Sequence, residues 1–183
     1  MLKTCLSRWI DRFEKAWSYD ASYMRHVLRA SPASLLKFAM GARAPDYRAA
    51  PAEAIVAAGL VGTLSEDCGP CVQVGVDIAA ANGVDPKVLK AILAGDEAGM
   101  GDAAALAWRF ARASLARDLE TVEPLRDEIV ARWGDKALVA ISLSLVASRM
   151  YPTLKYALGY GKACSKVRVP GEGAPVAPMP IAA

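Results

Sequence analysis

The spacing of apolar and polar side chains follows the period of an α-helix along nearly the whole chain. Valine, isoleucine and threonine do not alternate with the period of two that marks a strand, and the Asn82–Gly83 pair ends an apolar helix. In the first predicted helix, apolar side chains recur at helical intervals opposite a charged face: Leu6, Trp9, Ile10, Phe13 and Trp17. The pattern therefore predicts an all-α fold.

Caps and helix-breaking residues divide the chain into successive predicted helices. Asp20 and Ser31 are the expected caps of the second and third helices, and Asp85 is the expected cap of the helix that begins at position 86. A loop is predicted over 41–47. Further helices are predicted over 51–64, 68–82, 86–95, 102–115, 122–133, 135–150 and 152–160. We expect a single all-α domain over residues 1–164, with N-terminal helices over 1–40 and a core over about 50–160.

The C-terminal segment, residues 165–183, differs from the rest in composition. It holds four of the eleven prolines in the chain and two glycines, at positions 171 and 173. Such a segment cannot be helical, and its sequence offers little to bury. It is predicted to be a flexible or strapping tail.

Composition and charge narrow the class of protein. The 183 residues are 54% hydrophobic with a net charge of +3, which excludes general disorder and argues against a nucleic-acid or polybasic membrane surface. The apolar run 137–147 is too short for a membrane span, which needs about 20 residues. Charged side chains between Arg8 and Glu14 interrupt any signal-peptide core. We therefore expect a cytoplasmic protein with no membrane or nucleic-acid partner, and some apolar surface between subunits.

One motif carries chemistry, the segment from Glu66 to Cys71. Thiols three positions apart, at Cys68 and Cys71, lie on one helical face within reach of a disulfide. Pro70 lacks an N–H and belongs in the first turn, so we predict that Asp67 is the N-cap and Cys68 the first helical residue. The helix dipole there favours the Cys68 thiolate, whereas the negative charges of Glu66 and Asp67 favour the neutral thiol. The sequence does not show which effect on the thiol pKa is larger.

Three interpretations of this motif compete. A thiol–disulfide or peroxide-reducing centre is favoured, because four cysteines in a reducing compartment are too few for a disulfide scaffold. A zinc site would need two more ligands, and Cys5, Cys164 and His26 lack ligand spacing. The third interpretation is an inert pair of buried cysteines. A thioredoxin fold is disfavoured because the preceding segment, 52–64, is helical rather than a strand. No metal or cofactor is expected.

The context of the motif resembles the alkylhydroperoxidase D-like/carboxymuconolactone decarboxylase superfamily over roughly residues 50–115. The matching features are the apolar helix 51–64, the C-x-x-C at the next helix start, the Ala-rich helix ending at 82–84 and the helix that follows. The resemblance implies an all-α fold that assembles as trimers or hexamers. It also implies that the cysteine pair reduces hydroperoxides, helped by a glutamate on the preceding helix and a histidine four residues after the second cysteine.

The sequence departs from that superfamily in its proton relay. Gly75 stands at the histidine position, and Glu53, the acid on the preceding helix, lies farther upstream than the family spacing. A carboxylate, Glu66 or Glu53, would have to accept the proton instead. The resemblance favours Cys71 as the attacking cysteine, whereas expected exposure at the helix start favours Cys68, so both assignments stay open.

We therefore predict a thiol-dependent oxidoreductase that reduces hydroperoxides through a Cys68/Cys71 dithiol–disulfide cycle, with catalytic residues Cys68, Cys71, Glu66 and Glu53. Its partners would be a small hydroperoxide or similar substrate, an unidentified thiol reductant and further copies of the chain. The alternatives are a carboxymuconolactone decarboxylase-like enzyme, or a non-catalytic oligomeric helical domain that binds an apolar ligand and carries a redox-sensitive cysteine pair.

Overall fold

The computed structural model describes residues 2–41, 44–161 and 166–181, and within these ranges the chain is helical apart from loops and one isolated antiparallel bridge, Val167 with Val176. The expected all-α class is confirmed. The helices are α1 (Leu2–Trp17), α2 (Ser22–Ala30), α3 (Pro32–Met40), α4 (Ala52–Ser65), α5 (Gly69–Ala81), α6 (Pro86–Ala94), α7 (Glu97–Met100), α8 (Asp102–Ala116), α9 (Leu119–Trp133) and α10 (Asp135–Ala157).

Local sequence signals account for several of the helix ends. The Ser31 side chain accepts a hydrogen bond from the Ser34 amide at the start of α3, as predicted. The Asp85 side chain caps α6 through the Lys87 amide, and Gly95 ends the same helix in the left-handed conformation that glycine adopts without strain. These ends agree with the sequence because each depends on contacts within one turn.

Helix α4 lies at the centre of the main core, between α8 and α10. Nine of its 14 residues are buried, as expected for a helix that is apolar on every face. Close approach to α10 depends on Gly62, where an added Cβ would lie 2.5 Å from the Leu145 carbonyl oxygen. The Ser144 hydroxyl also donates to the Ile55 carbonyl at 2.8 Å, which joins the first turn of α4 to the middle of α10.

Several predicted helix boundaries are wrong. The N-cap of α2 is Ala21 and not Asp20, and no side chain caps that helix. The segments 135–150 and 152–160 form one helix, α10, that continues through Pro152, and α9 begins at Leu119 rather than at position 122. Proline removes one intrahelical hydrogen bond, but Pro152 is buried, and packing holds the helix together across it. At α9, the Asp118 side chain accepts from the Thr121 amide and so caps the helix earlier than expected.

Helix α10 is also the one helix among the described residues with the length and composition of a membrane span. The buried share of its apolar window is 33%, and it packs against α4, α8 and α9. A core helix of a soluble protein has the same length and composition, so these properties alone do not indicate a membrane protein.

The N-terminal helices α1–α3 form a second apolar cluster beside the main core. Its buried members include Ile10, Tyr23, Leu35 and Phe38. Partly buried side chains from α5 and from the C-terminal half of α10 pack against this cluster: Val74, Met150, Tyr151 and Leu154. The N-terminal helices therefore cover these side chains of α5 and α10, close to the cysteine motif at the start of α5.

The described part of the C-terminal tail, residues 166–181, is a strap that lies against the main core. Val167, Val169 and Ile181 are buried in that core, with 1%, 2% and 9% of their surface exposed. Gln73 on α5 holds the strap at two points, donating to the Arg168 carbonyl and accepting from its amide, both at 2.8 Å. Of the two expectations, a flexible or a strapping tail, these residues fit the strapping one. The expectation that the segment has little to bury is wrong, because its few apolar side chains are buried against the helices.

Candidate functional site

The cysteine motif lies where α4 ends and α5 begins. Helix α5 begins at Gly69 with Pro70 in the second position, so Cys68 is the N-cap and not the first helical residue. The Cys68 carbonyl accepts the Cys71 and Val72 amides, both at 3.0 Å, as an N-cap carbonyl does. Asp67 precedes it with a φ of 47°, and its carbonyl accepts the Tyr156 hydroxyl at 2.8 Å. The predicted capping by Asp67 is therefore wrong by one residue.

Cys68 and Cys71 are joined as a disulfide, with their Cα atoms 5.3 Å apart. That separation is within the ordinary range for a disulfide. The expected order of exposure is reversed, since Cys68 is fully buried whereas Cys71 has 9% of its surface exposed. Gly69 and Cys71 beside it are buried too, so the start of α5 is less open than a free helix end. Cys71 is thus the cysteine that a small molecule reaches first.

A cavity of about 220 Å³ lies between the N-terminal helices and α4, α5 and α10, and Cys71 is part of its wall. Its lining is almost entirely apolar and is rich in aromatic side chains: Trp9, Phe13, Tyr19, Tyr23, Phe38 and Tyr151. Apolar pockets with a few placed polar groups are the usual form of small-molecule sites. The Tyr151 hydroxyl in this lining is buried and has no hydrogen-bond partner in the described structure.

Tyr19 places its hydroxyl beside the Cys71 sulfur in the described contacts. Its hydroxyl lies 3.7 Å from Cys71 Sγ. Burial raises the pKa of Tyr19 to about 12, a rise that a hydrogen bond from Tyr23 partly offsets. Lys155 on α10, 3% exposed, places its Nζ 4.7 Å from the Tyr19 ring centroid and 5.7 Å from that of Tyr23. Tyr19, Tyr23 and Cys71 therefore line the cavity together, and Lys155 packs against the faces of the two tyrosine rings.

The Glu66 carboxylate, predicted as a proton acceptor, is engaged elsewhere. Its Oε1 accepts the Arg149 Nε at 2.7 Å and also pairs with Nη2 at 2.6 Å. Its Oε2 accepts the Thr153 hydroxyl at 2.9 Å. Both oxygens are thus bound to α10, and no hydrogen bond from Glu66 to either cysteine occurs in the described part of the chain. This ion pair fixes the end of α4 against α10.

The structure does not bring Glu53 to the cysteines. Glu53 lies in the first turn of α4, whereas the cysteines follow the last turn of that helix. At about 1.5 Å per residue, the thirteen positions between Glu53 and Glu66 correspond to about 20 Å.

The predicted position of the missing histidine, Gly75, does line the cavity. A Cβ placed there would lie 3.2 Å from Leu60 Cδ2, so there is little room for a larger side chain. The chain's own histidine, His26, instead lies 3.3 Å from the Tyr160 hydroxyl through its Nδ1. Cys5 is a free, exposed cysteine on α1, and Cys164 lies outside the described residues.

Sequence reasoning missed Tyr19 and Lys155. Neither residue is close to the motif in sequence, and both lie in ordinary helical or loop contexts. The sequence offered no hint of Lys155, because lysine is almost never fully buried and a lysine at this position is expected on the surface. Among the described residues, no group of three or more histidine, cysteine, aspartate or glutamate side chains could hold a metal ion.

Comparison with known proteins gives no relative for this chain. No family model, no curated protein and no solved structure matches it. The likeness to the alkylhydroperoxidase D-like superfamily therefore rests on the motif and its helical context alone.

Proposed function

We propose that this chain is a thiol-dependent oxidoreductase that reduces hydroperoxides through a dithiol–disulfide cycle of Cys68 and Cys71. The observation that supports the proposal most strongly is the position of Cys71, which is bonded to Cys68 while forming part of an apolar cavity wall. A reversible disulfide beside a substrate-sized space is the minimum that such a cycle needs.

The difference in exposure supports distinct roles for the two sulfurs. In the reduced protein, the Cys71 thiolate attacks the terminal oxygen of the hydroperoxide, the O–O bond breaks, and an alcohol leaves with one proton. Cys71 is then a sulfenic acid, and the buried Cys68 sulfur attacks it to form the disulfide and release water. The two thiols supply the two electrons that reduce the peroxide.

An external thiol must restore the reduced pair. It would attack the disulfide at Cys71, because Cys68 is fully enclosed. A reducing, cytoplasmic compartment is the proposed location, since it supplies such thiols continuously. The apolar cavity lining favours a hydroperoxide with an apolar substituent over hydrogen peroxide.

Stoichiometric peroxide consumption tests the proposal. The reduced protein, freed of excess reductant, receives one equivalent of an aromatic hydroperoxide, and remaining peroxide and free thiols are counted. We expect the parent and Cys5→Ser, the matched control, to consume one equivalent and to lose two thiols. Cys71→Ser should consume none, and Cys68→Ser should react once without forming the internal disulfide. Two results together would contradict the proposal. One is that Cys68→Ser and Cys71→Ser both consume peroxide at the parent rate, and the other is that the parent keeps both thiols of the pair after the reaction.

The cavity itself favours one other function, binding of an apolar ligand by a non-catalytic domain with a redox-sensitive cysteine pair. In that case oxidation should change the melting temperature or ligand affinity, and the thiols should not turn over with peroxide. The same thiol count, combined with melting curves in the oxidised and reduced states, separates the two functions.

We also propose that the chain forms a homo-oligomer, a trimer or hexamer as the superfamily resemblance implies. Its support is an apolar row on the outer face of α10: Val139, Leu143 and Val146, which are 56%, 39% and 66% exposed. Exposed apolar rows of this kind commonly mark interaction surfaces. Sedimentation velocity would give a mass well above the 19.3 kDa monomer, and a monomer at micromolar concentration would contradict it.

A further inference from the structure

We propose that the Tyr19 hydroxyl, polarised by Lys155, is the hydrogen-bond donor and proton source for chemistry at Cys71, in place of the histidine that the superfamily uses. This inference rests on the proposed peroxide cycle and assigns that cycle a catalytic residue from outside the cysteine motif. Tyr19 lies between α1 and α2, so the N-terminal helices contribute directly to the site and do not only cover it.

The contact between Tyr19 and Cys71 has a definite direction. A disulfide sulfur carries no hydrogen, so in the oxidised protein the hydroxyl donates and Cys71 Sγ accepts, across 3.7 Å. The Tyr19 ring is held in place by edge-on packing against Phe13 and Tyr23, with centroids 5.6 and 6.4 Å away. After reduction, the same hydroxyl faces a thiolate, and a donor aimed at a charged sulfur stabilises it more than it stabilises the neutral thiol.

In this proposal, Lys155 assists the loss of the Tyr19 proton, because its Nζ lies 4.7 Å from the centroid of the Tyr19 ring. An ammonium over an aromatic face is attracted to the ring, and that attraction increases if the phenol becomes a phenolate. Lys155 has 3% of its surface exposed, so water screens this interaction weakly. The other groups around Tyr19 are Tyr23 on α2, which donates to it, and Asp20, the neighbouring residue, whose charge opposes ionisation.

The protonation state of Tyr19 fits a donor. With a pKa raised to about 12, the phenol keeps its proton at neutral pH. The leaving alkoxide is a stronger base than a phenolate, so proton transfer from Tyr19 to the alkoxide is thermodynamically favourable. The Cys71 thiolate forms the S–O bond, the O–O bond breaks, and the alkoxide takes the Tyr19 proton to leave as an alcohol. Tyr19 then regains a proton from solvent. The Cys71 thiol released one proton to solvent when it ionised, so the number of protons is unchanged over the cycle.

The test uses Cys68→Ser as the background, so that Cys71 is the only reactive thiol of the pair. Two quantities are measured on the reduced protein: the pH dependence of Cys71 alkylation by iodoacetamide, and the rate of a single turnover with an aromatic hydroperoxide. Tyr19→Phe should move the alkylation profile to higher pH and lower both rates at pH 7 by about tenfold. The reason is that the thiolate loses its donor while the ring and its packing stay in place.

Tyr151→Phe is the matched control, because the same hydroxyl is removed from the same cavity at a position without a hydrogen-bond partner. It should leave the alkylation profile unchanged, because its hydroxyl makes no hydrogen bond to Cys71. Lys155→Met should shift the alkylation profile and the turnover rate in the same direction as Tyr19→Phe, and Lys155→Arg should restore them. If Lys155→Met does not fold, the comparison between Tyr19→Phe and Tyr151→Phe still decides the outcome.

A Tyr19→Phe profile that coincides with that of Tyr151→Phe would overturn the inference. The two proposals can fail separately, because alkylation does not depend on peroxide. If the parent protein consumes no hydroperoxide while Tyr19→Phe still shifts the alkylation profile, the peroxidase function fails and the hydrogen bond from Tyr19 to the thiolate stands. If the parent turns over and Tyr19→Phe changes neither measurement, only the role of Tyr19 fails.

Discussion

Replacing Glu66 by glutamine should destabilise the protein and leave its peroxide chemistry intact. The change keeps the shape of the side chain and its contact with Thr153, but removes the charge that pairs with Arg149. Arg149 can still donate to the neutral amide oxygen, so the loss is that of a charge-assisted bond and not of every contact.

The size of the effect follows from exposure. The Glu66 side chain is 16% exposed and that of Arg149 is 38% exposed, so the pair is neither buried nor free in solvent. Exposed ion pairs contribute about 0–1 kcal/mol, and hydrogen bonds to charged groups about 1.5–3 kcal/mol. Allowing for screening at Arg149, we expect Glu66→Gln to lower the free energy of unfolding by about 1–2 kcal/mol. At about 2–4 °C per kcal/mol, the melting temperature should fall by about 5 °C.

The assay is thermal unfolding followed by circular dichroism, together with the single-turnover peroxide rate. Glu128→Gln, which breaks an exposed ion pair with Arg132 on α9, is the control and should change the melting temperature by less than about 2 °C. Glu53→Gln should leave the peroxide rate unchanged, because its carboxylate lies far along α4. An unchanged melting temperature in Glu66→Gln, with a peroxide rate reduced more than tenfold, would refute this reasoning and identify Glu66 as the proton acceptor.

Two further predictions concern the packing around the site. Gly62→Ala should lower the free energy of unfolding by about 1–3 kcal/mol, because its Cβ would press on the α10 backbone. The control is Gly173→Ala, where a Cβ meets open space. Equal urea midpoints for the two variants would contradict the prediction. Gln73→Ala should speed tryptic cleavage at Arg168, because the strap loses both of its side-chain hydrogen bonds to α5. A cleavage rate equal to that of the parent would show that the strap is held by its apolar side chains alone.

The sequence was sufficient for the fold class and for most helix ends, because these depend on local patterns. Ser31 and Asp85 cap their helices through hydrogen bonds within one turn, and both were predicted. Pro152 was taken as a boundary, because proline costs about 3 kcal/mol inside a helix. Pro152 is itself buried in α10, and no local pattern encodes such packing.

In the candidate site, too, the local contact was predicted from the sequence and the long-range contacts were not. The pairing of Cys68 with Cys71 was predicted because residues three apart meet on a helix turn. Tyr19 reaches Cys71 across 52 positions, and Lys155 reaches Tyr19 from the last helix, so neither contact could be read from spacing. The relative exposure of the two cysteines was predicted in the wrong order, because exposure at a helix start depends on what packs against it.

Direct detection of the sulfenic acid tests the central claim, that Cys71 attacks the peroxide and Cys68 resolves it. Reduced Cys68→Ser and Cys71→Ser are each treated with one equivalent of hydroperoxide in the presence of dimedone, and the labelled peptide is identified by mass spectrometry. The account predicts stoichiometric labelling at Cys71 in Cys68→Ser and none at Cys68 in Cys71→Ser. Labelling at Cys68 in Cys71→Ser, or no labelling at Cys71 in Cys68→Ser, would contradict it.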